Sequence, residues 1–277
     1  MTATAAATEV RTFDDADALA HNVADWLCSR AQASDRRFAV SLAGGSTPRR
    51  LYECLASPAI APRFPWSRVH WFWGDERFVP HDHPDSNYRM VREALLSRAP
   101  VPDENIHAVP TEGISAQDAA AAYEATLKRF YGRDMLTPDR PLFGVTLLGV
   151  GADGHTASLF PGQPALRERQ RWAVAVIGAK SEARITLTYP ALDSSRDLAF
   201  VVTGAEKRQA VARVRASDPA APAGAIRPVG CLHWFTDRAA SPERSRTATR
   251  RSRSAACRVR HNGPDAFRHC PVRPRRS

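Results

Sequence analysis

What the sequence most lacks is a long apolar run. Nothing in its 277 residues approaches the roughly 18 that a membrane-spanning helix needs, so no membrane partner is expected. The opening segment, MTATAAATEVRTFDDADALA, has neither a basic start nor a continuous apolar core, which argues against an export signal and for a cytoplasmic protein. Cysteine is scarce as well. Cys28, Cys54, Cys231, Cys257 and Cys270 are odd in number, widely spaced and contain no C-x-x-C pair, which excludes a disulfide framework and gives no zinc-ribbon spacing. With 15 glycines, 43% apolar and 25% charged residues, the chain is no low-complexity polymer and has material for a large buried core. Lysine is absent from Ser241 to Ser277, where eleven arginines face only Glu243 and Asp265; that segment carries +9 of the formal +10, leaving +1 on residues 1–240. The net charge that suggests a nucleic-acid protein therefore belongs to a tail. No helix-turn-helix pattern supports that class, and no nucleic-acid partner is expected.

What is present alternates strand-like and helical patterns, the order of an α/β domain with a covered, largely parallel sheet. FAVSL, VHWFW and FGVTLL read as buried strands, and WAVAVI, RITLTY, DLAFVV and LHWFT as further β-rich runs. Helical spacing links Leu51 with Leu55, Tyr88 with Val91 and Leu95, and Ala119 with Tyr123 and Leu127. This last set follows the capping-box-like Ser115-x-x-Asp118. Residues 206–215 read as a further helix.

Several strands run into loops of glycine with hydroxyl or charged residues, and in open α/β sheets ligands gather at those carboxyl ends. Gly44-Gly45-Ser46-Thr47-Pro48 places two glycines after a strand, a hydroxyl residue at the expected N-cap and Pro48 at the first helical position. This is either an anion cradle or a well-capped tight turn; the lysine of a Walker loop is missing. Gly74-Asp75-Glu76-Arg77 reads as a charged loop in which Arg77 offers a bidentate grip on phosphate, or as a solvated turn. His81-Asp82-His83 lacks a third ligand, so no metal is expected. Gly149-Val150-Gly151-Ala152-Asp153-Gly154-His155 satisfies G-x-G-x-x-G, but Pro161 interrupts too soon for a dinucleotide-binding helix. Its glycines instead allow a sharp turn that presents Asp153 and His155, and histidine is the side chain suited to proton transfer near neutrality. Lys207, in the first turn after Thr203-Gly204, is disfavoured by the helix dipole unless an anion is also present. Lys180 and Arg184, flanking RITLTY, share the ambiguity between ligand and surface cation. A serine nucleophile has no G-x-S-x-G elbow to support it.

Taken together, SLAGGSTPRRLYECL, HWFWGDERFVPHDHPDSNYRMVREALL, LLGVGADGHTASLFPG, ARITLTYPAL and VVTGAEKRQAV resemble the glucosamine-6-phosphate isomerase/6-phosphogluconolactonase superfamily over residues 8–240. Thr156-Ala157-Ser158-Leu159-Phe160-Pro161 after the DGH triplet is similar to the lactonase branch rather than to the deaminases. The resemblance implies a Rossmann-like three-layer α/β sandwich with a mostly parallel central sheet, of the type shared by deaminases and CoA transferases. It also implies hydrolysis of 6-phospho-D-glucono-1,5-lactone without a cofactor or obligatory metal. His155 would be the general base, with Asp153 helping to position or polarise the site although their spacing does not show that the two touch, and Gly44, Gly45, Ser46, Thr47, Arg77, Arg184 and Lys207 would hold the phosphate. A monomer is expected. The competing readings are an aminosugar-phosphate deaminase and a non-catalytic sugar-phosphate sensor. Residues 241–277 lack helical or strand periodicity and depart from the family, so they read as a disordered accessory tail or the product of a shifted reading frame.

Overall fold

The computed structural model describes residues 7–242; the expectation for the tail falls on residues 243–277, outside the described residues. Ten strands form two sheets. β1 (Thr8–Phe13), β2 (Phe38–Leu42), β3 (Val69–Trp73), β5 (Ile106–His107), β6 (Phe143–Leu148), β9 (Ser195–Val202) and β10 (Cys231–Asp237) make the main sheet, in the order β1-β10-β9-β6-β2-β3-β5. Every pairing in it is parallel. β4 (Asp75–Arg77), β7 (Ala173–Val176) and β8 (Arg184–Leu187) form a small antiparallel sheet in the order β4-β8-β7.

Among the described residues six α-helices accompany them, besides shorter 3-10 and π turns: α1 (Ala16–Gln32), α2 (Ser46–Leu55), α3 (Asn87–Val91), α4 (Ala116–Tyr131), α5 (Tyr189–Asp193) and α6 (Arg208–Arg215). α1 lays Trp26 edge-on against His233 and Phe235 of β10. α4 packs Phe130 on Phe72 and His107. All five residues of β2 are buried, as expected of a strand covered on both faces. α4 starts where its cap predicts: Ser115 Oγ accepts Asp118 N–H at 3.1 Å, while the Asp118 carboxylate accepts the Ser115 hydroxyl at 2.7 Å. Gly132, with φ of 78°, ends it. No helix among the described residues is long and apolar enough to cross a membrane.

Chain order in the main sheet fixes where a crevice opens. From β2 the chain moves outward to β3 and β5, then returns to β6 on the other side of β2 and moves outward to β9 and β10. The loops after β2 and β6 therefore diverge from neighbouring strands, and this switch point is where α/β sheets receive ligands.

The outer end of the sheet carries a histidine pair. His70 Nδ1 lies 3.1 Å from His107 Nε2, and His107 stacks on Phe72 with ring centroids 4.3 Å apart. Burial, then the neighbouring His70 and Arg37, lower the His107 pKa to about 4. A histidine lowered on folding supports stability above its unfolded pKa near 6.5 and loses that support as pH falls toward 4. Asp193, raised to about 6 by burial, has the opposite slope, since its stabilisation is lost as pH rises. The informative quantity is thus a difference between variants. His107→Phe should gain stability relative to wild type as pH drops from 6.5 to 4, by on the order of 1–2 kcal/mol after discounting for partial exposure. Parallel urea unfolding curves for the two proteins across that range would show the His107 assignment to be wrong.

Candidate active site

Sequence expected Gly74-Asp75-Glu76-Arg77 to be a loop; instead residues 75–77 are strand β4. Gly74 is the joint between the two sheets, donating its N–H to Leu42 O and accepting from Leu187 N–H, both at 2.8 Å. The partner strand that turns this segment into β-structure is β8, distant in sequence, and local composition carries no sign of it. The result puts Arg77 directly opposite Arg184 in the antiparallel register.

Two like charges at cross-strand positions repel, and here they are poorly compensated. Both Nε atoms are buried without a partner. Arg77 donates one Nη1–H to Asp85 O at 2.7 Å, and Arg184 reaches Glu182 only at 3.4 Å. Burial, then Arg77, depress the Arg184 pKa from the usual guanidinium value.

Glu76 points the other way and is buried. Its carboxylate accepts the N–H groups of Arg77, Asn87 and Tyr88, each at 2.7 Å, and the Ser86 hydroxyl at 3.3 Å. Burial raises its pKa against the pull of those donors. The carboxylate thereby fixes the start of α3 against β4 and holds Asn87 in place. Asn87 Nδ2 donates to Asp75 O at 2.9 Å, and its amide lies so near Gly44 that a Cβ there would come within 2.0 Å of Oδ1. Gly44 is a requirement of close approach.

A hydroxyl residue was expected to cap α2 with Pro48 as its first residue, but the helix starts at Ser46, its N-cap is Gly45, whose φ of 104° suits glycine, and no side chain caps it. Thr47 instead pairs its hydroxyl with Thr203 at 2.7 Å, tying the first loop to the one after β9. That second loop is pinned by Asp237, which accepts Gly204 N–H at 3.1 Å. Lys207 sits in the short 3-10 turn of residues 205–207, at the N-cap of α6.

The loop after β6 closes on itself. Gly151 N–H donates to His155 O at 2.9 Å, and the Thr156 hydroxyl donates to Gly149 O at 2.8 Å. Asp153 Oδ1 accepts the His155 backbone N–H at 3.0 Å and meets His155 Nδ1 at 2.5 Å. Spacing alone left that contact undecided. Burial raises the Asp153 pKa, but the His155 hydrogen bonds outweigh it and the net direction is down. Gly151 makes the pair possible, since a Cβ at this position would lie 2.1 Å from the imidazole. Beyond His155, Ala157 has φ of 47°, a strained conformation for a residue with a side chain. Ser158 anchors it: its N–H donates to Thr186 Oγ1 of β8 and its hydroxyl to Asp75 Oδ2 of β4, at 3.1 and 2.6 Å.

These loops surround a cavity of about 370 Å³ at the switch point. Of the residues singled out from sequence, Gly44, Gly45, Arg77, His155, Arg184 and Lys207 line it. Ser46, Thr47 and Asp153 do not, though Asp153 touches His155 and Thr47 touches the loop after β9. Lys180, left undecided by sequence, also lines the cavity, with Nζ 5.1 Å from the Phe160 ring that packs on His155. Sequence reading missed Asn87 and Ser158; each is positioned by hydrogen bonds to β4, whose pairing into the small sheet local pattern does not encode.

Four cations (Arg77, Lys180, Arg184 and Lys207) against Asp75, with an imidazole also in the lining, define an α/β protein whose switch-point crevice is suited in charge to a small anionic ligand. Residues 14–234 match the profile of glucosamine-6-phosphate isomerases/6-phosphogluconolactonase, and the chain belongs to that family. It is 46% identical over 212 residues to a 6-phosphogluconolactonase of Nostoc sp., covering 76% of this chain and 85% of that one. It is 39% identical over 230 residues to the 6-phosphogluconolactonase of Rattus norvegicus, covering 80% and 87%. The crystal structure of 6-phosphogluconolactonase from Thermotoga maritima superimposes with a TM-score of 0.71 at 30% identity, covering 83% of this chain and 100% of that one.

Proposed function

We propose that this protein hydrolyses 6-phospho-D-glucono-1,5-lactone to 6-phosphogluconate, with His155 as general base and the cationic wall as the phosphate site. The observation that carries the reading is the His155–Asp153 pair at a crevice whose lining also holds two incompletely paired guanidinium groups.

Asp153 Oδ1 takes the Nδ1–H of a neutral imidazole, which leaves the Nε2 lone pair as the base. Nε2 accepts a proton from water as its oxygen attacks C1 of the lactone. The tetrahedral intermediate collapses by breaking the bond from C1 to the ring oxygen, and the Nε2–H of the imidazolium protonates that oxygen as it leaves. One residue serves both half-steps, and His155 ends neutral. Arg77 and Arg184 bind the phosphate, Lys207 and the Gly44–Thr47 loop at the uncapped start of α2 assist, and this anchoring holds the carbonyl near the base. The same reading assigns catalysis to residues 1–240, makes residues 241–277 dispensable, and describes a cytoplasmic monomer whose site is completed by one chain.

The deciding measurement is lactone hydrolysis, corrected for spontaneous opening, on the full chain and on a chain truncated after Pro242, with an ammonia assay on glucosamine 6-phosphate in parallel. Lactone turnover by both chains is the expected result. Ammonia release without lactone turnover would move the chain to the deaminase branch. Asp153→Asn leaves the shape intact but lets the amide donate to Nδ1, favouring the tautomer with its proton on Nε2. It should lower kcat by ~10-fold or more with little change in KM; a change confined to KM would count against the tautomer role.

A further inference from the structure

At the opposite edge of the main sheet, away from the crevice, three strands place a second set of chemically active side chains side by side. Asp197 of β9 is the register partner of Cys231 of β10, and Glu9 of β1 is the register partner of His233 of β10. Cys231 and His233 are two residues apart on one strand and so project from the same face. A sulfur, an imidazole nitrogen and a carboxylate oxygen from Cys231, His233 and Asp197 all lie within 4.8 Å of one another. Asp197 and His233 are buried.

The hydrogen bonds around His233 leave a place for a cation. Nε2 lies 2.7 Å from Asp197 Oδ1, and Nδ1 lies 3.0 Å from Glu9 Oε2. A neutral imidazole has one N–H, so only one of these contacts to carboxylate oxygen is a hydrogen bond; the other needs a second proton or a metal ion. We infer that Cys231, His233 and Asp197 bind a divalent cation of borderline softness, Zn²⁺ by preference, with water completing the coordination.

The donor set supports that choice. Mixed sulfur, nitrogen and oxygen ligands at three protein positions with one left open suit Zn²⁺ and disfavour Mg²⁺ or Ca²⁺, which take oxygen. Glu9 supplies the outer carboxylate that receives the Nδ1–H of a metal-bound histidine and fixes its orientation. Charge agrees as well. Arg30 reaches Asp197 Oδ1 at 3.5 Å and Arg11 pairs with Glu9 Oε1 at 2.7 Å; with a Cys231 thiolate the three anions still outnumber the two guanidinium groups, leaving one negative charge for the cation to meet. Binding releases the thiol proton, and any second imidazole proton, to solvent. The ion would tie the edge strand β1 to β10 and β9 and would take no part in lactone hydrolysis.

Cobalt(II) titration of the chelator-treated full chain tests this, because a thiolate ligand gives a sulfur-to-cobalt charge-transfer band that the imidazole and carboxylate of the crevice do not. The tail also carries Cys257 and Cys270, so a Cys257→Ser/Cys270→Ser chain is titrated beside the wild type. One equivalent of Co²⁺ should produce the band in both, with Zn²⁺ displacing it and raising the unfolding temperature. Cys231→Ser should abolish the band. Glu9→Gln should keep it and weaken affinity roughly 10- to 100-fold, which guards against reading a folding defect of Cys231→Ser as loss of a ligand. No band in the wild type, a band that persists in Cys231→Ser, or one that disappears with the tail cysteines would overturn the site.

Discussion

His155→Ala should hydrolyse the phosphorylated lactone ~10²- to 10⁴-fold more slowly than wild type, the range that a positioned general base contributes. Phosphate-ester binding should survive, because Arg77, Arg184 and Lys207 line the cavity independently of the imidazole. The readout is kcat from the corrected hydrolysis rate together with the affinity for 6-phosphogluconate by calorimetry. A fall in kcat with the product affinity intact places His155 in the chemical step. Loss of both would show instead that the ring shapes the cavity, a real alternative since it packs on Phe160 with centroids 4.6 Å apart. Near-normal turnover would reject the base outright. Gly151 bears on the same point, because its absent side chain is what lets the imidazole settle against Asp153.

Arg184→Met carries the second large effect, and it joins binding to stability with opposite signs. The guanidinium faces Arg77 across a strand pair, has a buried, unpartnered Nε, and makes a long contact with Glu182. Methionine keeps most of the aliphatic stem and removes the repulsion. The free variant should therefore unfold at a slightly higher temperature than wild type, by a few tenths to about 1 kcal/mol in stability. Its KM for the phosphorylated lactone should rise roughly 10- to 100-fold, the value of a charge-assisted contact to phosphate. An unphosphorylated lactone should show no such change, and the thermal shift that inorganic phosphate gives the wild type should shrink. A variant that is less stable and binds phosphate normally would mean that the arginine pair serves the fold and not the ligand. Arg77→Met should raise KM in the same selective way; its hydrogen bond to Asp85 O means that it should also loosen the segment before α3.

Much of this site was legible in the chain. The loops at Gly44, Gly149 and Gly204 announce themselves because glycine beside hydroxyl or charged residues after an apolar run has few ordinary uses, and all three lie at the sheet's carboxyl edge. The start of α4 was also legible, since its cap and its apolar spacing are both local. The charged segment 74–77 was misread for the complementary reason. Three polar residues after VHWFW look like a loop until β8 arrives from far along the chain to pair with them. A hydroxyl cap on α2 was expected because serine and threonine favour that position, whereas Gly45 takes it with the positive φ that the turn requires.

Short-range periodicity and contiguous motifs were enough for most of the element types, for the glycine-rich loop that carries His155 and for the family resemblance. Tertiary structure alone decided which cations face one another, that Asp153 touches His155, and that Asn87 rests on Gly44. It also brought Glu9, Asp197, Cys231 and His233 together at the other edge of the sheet. The physical reason is register. Pairing between strands distant in sequence is selected by burial of whole faces, and it brings together side chains whose proximity no local pattern records.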